Sequence, residues 1–385
     1  MNNIEQIENC VGCRLCEKIC PNSSITMVYD NEGFLVPKVD INSCLNCGIC
    51  LKECCQNKNE KLSKIRKVYA ARLKNDEVNL EKSTSGGAFY ALAKYVLKNK
   101  GVVFGAVYDE NLKVKHSMID KVEELYKLQG SKYVQSDPLN TYELTKEYLN
   151  KGIIVLYSGT PCQITALKRY LNKDYSNLVT VDLLCFGVPS PGLFGSYIKW
   201  LENKYKCKIK KYTFRKCYWG LLYRSEIEDV NSNKKLLSPN DPYMLGFLKR
   251  KTHRKCCYNC KYNSEYRVGD ITLGDYWGIE KISPKLLDGV GISRIFINTI
   301  KGEEIFNVVG NEMNIYYSSD SCEKSLFEKK EVNYLEERKN IYDGYEKDNY
   351  FDTKLRLSIN FKNRIFGMFP HKFQLKVKRI LAKIG

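Results

Sequence analysis

The sequence predicts an α+β protein, with a small cysteine-rich N-terminal module followed by an α/β domain on a mixed sheet. Two observations predict it. Nine of the 17 cysteines fall in the first 55 residues. From about Val68 onward, apolar runs of strand length alternate with amphipathic helical stretches. The 385 residues suffice for two or three domains with a sizeable core. The start MNNIEQIENC has neither the basic nor the apolar region of a signal peptide, and no apolar run approaches membrane-spanning length. A cytoplasmic protein is therefore expected.

In that compartment clustered cysteines point to metal or redox use before disulfides. The first run is Cys10-x-x-Cys13-x-x-Cys16-x-x-x-Cys20-Pro21, and the second is Cys44-x-x-Cys47-x-x-Cys50-x-x-x-Cys54. Three cysteines at two-residue gaps let one loop wrap three corners of a cubane. The fourth, one helical turn on, points at the neighbouring cluster. The spacing predicts two 4Fe–4S clusters in a bacterial-ferredoxin-like module over residues 1–58. One would rest on Cys10, Cys13, Cys16 and Cys54, the other on Cys44, Cys47, Cys50 and Cys20. Gly12 and Gly48 supply permissive backbone beside inorganic sulfur, and Pro21 stops the turn. Zinc also uses Cys-x-x-Cys pairs, but with a spacer between two pairs and not as three cysteines in tandem. Cys55 reads as a bystander, with a shift of register onto it as the less regular alternative. Ile25–Val28 and Phe34–Val36 read as short strands around the turn Asp30-Asn31-Glu32-Gly33.

Residues 56–67 are polar and lysine-rich, and read as a linker. Beyond them, 101–107, 152–157 and 178–184 are buried-strand candidates, with helices over 88–98, 163–171 and 193–205 between them. Further strands are expected at 208–214, 270–273 and 292–299. The tail over 345–385 is basic. Between Phe361 and Gly385 it carries Lys362, Arg364, Lys372, Lys376, Lys378, Arg379 and Lys383 among apolar residues, and no acid. That pattern suits a basic amphipathic helix at an anionic membrane surface, and equally a solvated helix packed on the domain. The formal charge of +18 invites a nucleic-acid reading. Each cluster with its thiolates carries roughly −2, however, which removes part of that charge. No nucleic-acid partner is expected on charge alone.

Several loops carry candidate chemistry. Ser83-Thr84-Ser85-Gly86-Gly87 precedes a helix, where free N–H groups can cradle a phosphate or an electron-rich ring, or simply cap the helix. In Gly159-Thr160-Pro161-Cys162-Gln163, Thr160 is the expected N-cap and Pro161 the first helical residue. Cys162 then lies in the first turn, where a thiolate is stabilised. Cys185 ends the next strand, the place where open α/β sheets hold cofactors. Cys256-Cys257-Tyr258-Asn259-Cys260 adds a Cys-x-x-Cys pair. Cys162, Cys185, Cys257 and Cys260 make four ligands for a third 4Fe–4S cluster, unless the isolated ones are small buried hydrophobes. Gly269 to Gly278 (GDITLGDYWG) brackets a strand with two acids and ends in aromatics.

Taken together these stretches resemble the beta subunits of coenzyme F420 hydrogenases and dehydrogenases. The matching residues are STSGGAF at 83–89, QGSKYVQSD at 129–137, GTPCQI at 159–164, DLLCFGVPSP at 182–191, and CYNCKY followed by GDITLGDYWG at 257–278. The resemblance divides the chain into N-terminal-like (66–150) and C-terminal-like (151–320) beta-subunit regions. It implies an FAD-binding α/β domain with an iron–sulfur cluster beside the flavin. Ser85, Gly86, Gly87, Thr160 and Pro161 then look like flavin-binding positions, and Cys162, Cys185, Cys257 and Cys260 like ligands of the proximal cluster. Two departures stand out. Family members often carry His where this chain has Phe186, and Cys256 is extra. The implied activity is electron exchange between a hydride carrier such as reduced coenzyme F420 and a redox partner protein or substrate. A ferredoxin-dependent reductase of a metabolite such as a sugar or cell-envelope precursor, and a non-catalytic relay subunit, are the rival readings.

Overall fold

The computed structural model describes residues 3–58, 62–216, 224–238, 241–286, 288–322, 324–327, 335–346, 351 and five positions between 369 and 380. The basic tail expected over 345–385 lies almost entirely outside the described residues. Among the described residues no helix is long and apolar enough to cross a membrane.

The N-terminal module is built on a hairpin of β1 (Ile25–Tyr29) and β2 (Leu35–Val39), antiparallel and in register from Ile25↔Val39 to Tyr29↔Leu35. Asp30 closes the turn, its carboxylate accepting from the N–H groups of Glu32 and Phe34 at 2.9 Å each. Two four-residue helices, α1 (Leu15–Lys18) and α2 (Ile49–Lys52), follow the cysteine loops. Ile4, Ile25 and Val39 form a small core ringed by Cys16, Cys20, Cys44, Cys50 and Cys54.

The stretch expected to be a linker is tied down. Its β3 (Ser63–Lys64) pairs with β12 (Tyr266–Arg267), and Ile65 is buried. The carbonyl of Lys58 accepts from Arg169 and Lys261. Its lysines make it polar in composition, but its backbone has partners.

The main body is one eight-stranded sheet: β4 (Lys67–Leu73), β5 (Val102–Tyr108), β6 (Val114–Ile119), β7 (Val155–Gly159), β8 (Leu178–Leu183), β13 (Ile271–Asp275), β14 (Ser293–Ile297) and β15 (Met313–Ser319). Their spatial order is β15-β4-β14-β13-β8-β7-β5-β6. The central pairs β5–β7, β7–β8 and β8–β13 are parallel, and the outer pairs are antiparallel. Regions 66–150 and 151–320 thus both contribute strands to a single mixed sheet. Alternation sorts the side chains. Val103, Leu156 and Val179 face the helices Ala88–Lys98 and Ile300–Val309, while Val102, Phe104, Val155 and Tyr157 face Thr141–Asn150 and Pro161–Leu171.

Cys13, Leu15 and Cys55 belong to the second of these cores, so the N-terminal module packs on that face of the sheet, with α1 against the helix Pro161–Leu171. A smaller antiparallel sheet of β9 (Ile209–Thr213), β10 (Glu226–Asp229) and β11 (Lys234–Leu236) lies over an aromatic core that includes Tyr197, Tyr212, Phe214 and Tyr243. Phe34 of the hairpin inserts into it. The turn of the hairpin is also clamped. Buried Arg338 donates to both carboxylate oxygens of Glu32, and Gly33 meets Gly192 so closely that a Cβ on Gly33 would stand 2.6 Å from the Gly192 Cα.

Candidate metal centres

The two cysteine loops share one backbone design. At the second and fourth residues after the first cysteine the chain is left-handed. These are Gly12 (φ 67°) and Arg14 (φ 61°) in one loop, and Asn46 (φ 51°) and Gly48 (φ 69°) in the other. Only glycine and, less readily, short polar residues adopt this conformation freely. Gly12 and Gly48 are therefore not equivalents of each other. Each has a non-glycine counterpart in the partner loop.

The interleaved sets are brought together as the spacing anticipates. Cys10 and Cys16 lie within electrostatic range of Cys13 and Cys54. Cys20, Cys44, Cys47 and Cys50 line a common cavity, and Cys47 is exposed. Among the described residues no three His, Cys, Asp or Glu side chains converge as they do on a single ion. Burial pushes the Cys10 and Cys16 thiols up.

The dispersed cysteines also meet. Cys162, in the first turn after β7, interacts with Cys185, which follows β8, and with Cys257 and Cys260. Cys256 joins them beside Cys257. The expected stabilised thiolate at Cys162 is not found. Burial outweighs the helix N-terminus and the nearby Thr160 hydroxyl, 3.1 Å away, and drives that thiol well above its usual range. Desolvation among the neighbouring thiols raises Cys185 although the residue itself is solvent-exposed, while the neighbouring Cys256 lowers Cys257 to about 7. Two buried arginines fix the surroundings. Arg267 binds Asp182, the Leu183 and Tyr262 carbonyls and the Thr272 hydroxyl, holding the Cys260 loop to β8. Arg254 reaches the other way, to the carbonyls of Cys10 and Leu35 and to Gln135, over the face of Phe34.

Arg254 and Gln135 thus lock the dispersed site to the N-terminal module, with Gln135 also donating to the Val11 carbonyl at 2.9 Å. Fully buried Tyr142 stands between the two sites. It interacts with Cys13, Cys55 and Cys162, and its hydroxyl donates to the Cys13 carbonyl at 3.0 Å. Sequence reading assigned no part to these three residues. Gln135 lay inside the quoted QGSKYVQSD stretch and Arg254 beside the Cys257–Cys260 pair, whereas Tyr142 carried no local signal.

The candidate flavin positions divide into two groups. Thr160 caps its helix as expected, but its N–H and hydroxyl both bond Gln163, which commits it to the protein. Ser85 donates to the Ile292 carbonyl, and Gly86 is wedged where a Cβ would stand 2.3 Å from the Ala71 carbonyl. Among the described residues the amide N–H groups of Gly86 and Gly87 find no acceptor, at the start of an eleven-residue helix. That end fits a phosphate-bearing group. Four strand spacings, roughly 19 Å, separate it from Thr160, so only an elongated ligand touches both. The acids of the GDITLGDYWG stretch are both engaged, Asp270 by Thr180 and Thr299 and Asp275 by Arg215. At the position after Cys185, Phe186 stands edge-on to buried His253, with ring centroids 5.3 Å apart.

Fold and thiol geometry define a two-module iron–sulfur protein. Residues 9–58 match the family model of the 4Fe-4S dicluster domain. Residues 68–142 and 154–320 match the two models of the coenzyme F420 hydrogenase/dehydrogenase beta subunit, N-term and C terminus. Together those two models cover more than half of the chain. The chain belongs to the coenzyme F420 hydrogenase/dehydrogenase beta subunit family and carries an N-terminal 4Fe–4S dicluster domain. No curated protein matches it significantly. Among solved structures it is similar to a chain of the xenon-derivatised F420-reducing NiFe hydrogenase complex from Methanosarcina barkeri. The match is 21% identical with a TM-score of 0.46, and covers 67% of this chain and 84% of that one.

Proposed function

We propose that the chain is an iron–sulfur flavoprotein that passes electrons between a hydride carrier and a partner, with a third cluster on Cys162, Cys185, Cys257 and Cys260. One observation carries this reading: those four cysteines, from three separate segments, come together, and Tyr142 interacts both with Cys162 of that set and with Cys13, to whose carbonyl it donates. The cysteine sets then form a series. The dispersed set comes first, then Cys10, Cys13, Cys16 and Cys54, then Cys44, Cys47, Cys50 and Cys20 at the solvent-open end, where a redox partner docks. Arg254 and Gln135 keep the first two at a fixed separation.

FAD, when bound, supplies the exchange between two-electron hydride carriers and one-electron clusters. In this chain the unpaired N–H groups of Gly86 and Gly87 would hold its phosphates, with the positive end of the helix Ala88–Lys98 adding to the attraction. The positive charge of the chain suits an anionic carrier such as coenzyme F420. Iron analysis and the visible spectrum of anaerobically purified protein test the reading. We expect flavin bands and about twelve iron atoms per chain. About eight iron atoms defeat the third cluster, and a flavin-free spectrum defeats the flavoprotein. Bleaching by reduced coenzyme F420 supports the hydride donor. Bleaching by reduced ferredoxin alone replaces it with the ferredoxin-dependent reading.

A further inference from the structure

Of the five cysteines outside the ligand sets, two, Cys55 and Cys256, sit directly beside a ligand in sequence. Cys55 follows Cys54, is fully buried, and places its Sγ 3.9 Å from that of Cys13 while also hydrogen-bonding Cys54. Cys256 precedes Cys257 and interacts with it. A thiolate bound to iron can only accept a hydrogen bond, so each leftover thiol is the donor, and Cys55, with its single S–H, gives it to one of Cys13 and Cys54 at a time. Among the described residues no leftover thiol stands beside Cys20, Cys44, Cys47 or Cys50. The protein thus repeats one arrangement at two sites in unrelated parts of the fold and omits it at the third.

We propose that Cys55 and Cys256 are positioning thiols whose S–H groups donate to ligand sulfurs and raise the reduction potential of the clusters they flank. The inference rests on the ligand sets assigned above. Reducing a cluster by one electron adds negative charge that spreads onto its sulfurs. A donor aimed at a sulfur therefore stabilises the reduced form more than the oxidised one. Burial strengthens the effect, because little water competes for the sulfur.

The test is an EPR-monitored potentiometric titration, with iron analysis, of the full chain and of Cys55→Ala and Cys55→Ser. In Cys55→Ala the midpoint of the flanked cluster falls by about a tenfold change in its one-electron equilibrium, or 59 mV. In Cys55→Ser the hydroxyl still donates, and most of the shift is recovered. The outer cluster moves in neither variant and serves as the internal reference. An unchanged midpoint at full iron content overturns the proposal, since a thiol that merely fills space leaves the potential alone. Loss of about four iron atoms from Cys55→Ala also overturns it, by making Cys55 a ligand. Cys256→Ala is expected to lower the midpoint of the third cluster in the same way. A parent protein with only about eight iron atoms removes the Cys256 half outright and leaves the Cys55 half standing.

Discussion

In the N-terminal module, eight cysteines come from two short runs, Cys10 to Cys20 and Cys44 to Cys54, each with its own left-handed turns. Above the large sheet, four cysteines come from three loops between Cys162 and Cys260, and they meet only because β7, β8 and the loop before β12 are already in place. The first site is written in local backbone, the second in tertiary structure. The difference predicts that damage to the sheet empties the second site and spares the first.

The largest test of that contrast is Arg267→Ala. It strands fully buried Asp182 without its cation, and loss of one partner of a buried pair costs about 3–5 kcal/mol. We expect a destabilised main domain and iron reduced to the dicluster complement, as read by urea denaturation and iron analysis. Equal loss from both modules would break the contrast.

Within the module, Gly12→Ala and Gly48→Ala sharpen it. Both impose a left-handed alanine, costing about 1–2 kcal/mol. A Cβ at Gly12 also meets Gln135 at 2.4 Å and the Leu35 carbonyl at 2.8 Å, whereas one at Gly48 meets nothing within 4 Å. Overpacking adds about 1–3 kcal/mol at Gly12 alone. Differential denaturation of the two variants measures how much of the module's stability comes from its seat on the sheet.

A pH series separates the regions again. His116 and His253 are buried in the main domain, where desolvation lowers them to about 4 and about 3. The folded protein keeps both neutral, while the unfolded chain takes up protons below about pH 6.5. The stability they contribute is therefore present above 6.5 and is lost as pH falls toward 4, at about 1.4 kcal/mol per pH unit for each histidine. His116→Gln should reduce that slope in urea midpoints measured between pH 7 and 5.5. The smallest expected effect is Tyr142→Phe. It removes one neutral hydrogen bond to the Cys13 carbonyl and costs about 1 kcal/mol in the same assay.

The same contrast governs what was legible in the sequence. Cysteine spacing and the helix 88–98 could be read directly because three to four residues decide them. The strands at β5, β7 and β8 were visible as apolar runs, but β6 (VKHSMI) and the exposed β15 carried too few apolar residues to register. Gly12 and Gly48 were recognised as special, while their left-handed counterparts Asn46 and Arg14 were not: Asn tolerates that conformation but is common outside it, and Arg gives no sign of it. The acidity expected of Cys162 followed from its helix position and missed its burial, which only the packed sheet creates. Arg254 lies more than two hundred residues from the Cys10 carbonyl it binds, and no local pattern encodes such a partner.

The clamp of Arg338 on Glu32 bears on the order of events during synthesis. The dicluster module emerges from the ribosome before the large sheet, and a domain generally folds as it emerges. The arginine that closes over its hairpin turn follows only after the whole large sheet has been made. Through most of translation the module is a tethered domain with open flanks, its cysteines within reach of whatever delivers iron and sulfide. Closure comes later, so the geometry favours loading the metal before the door shuts.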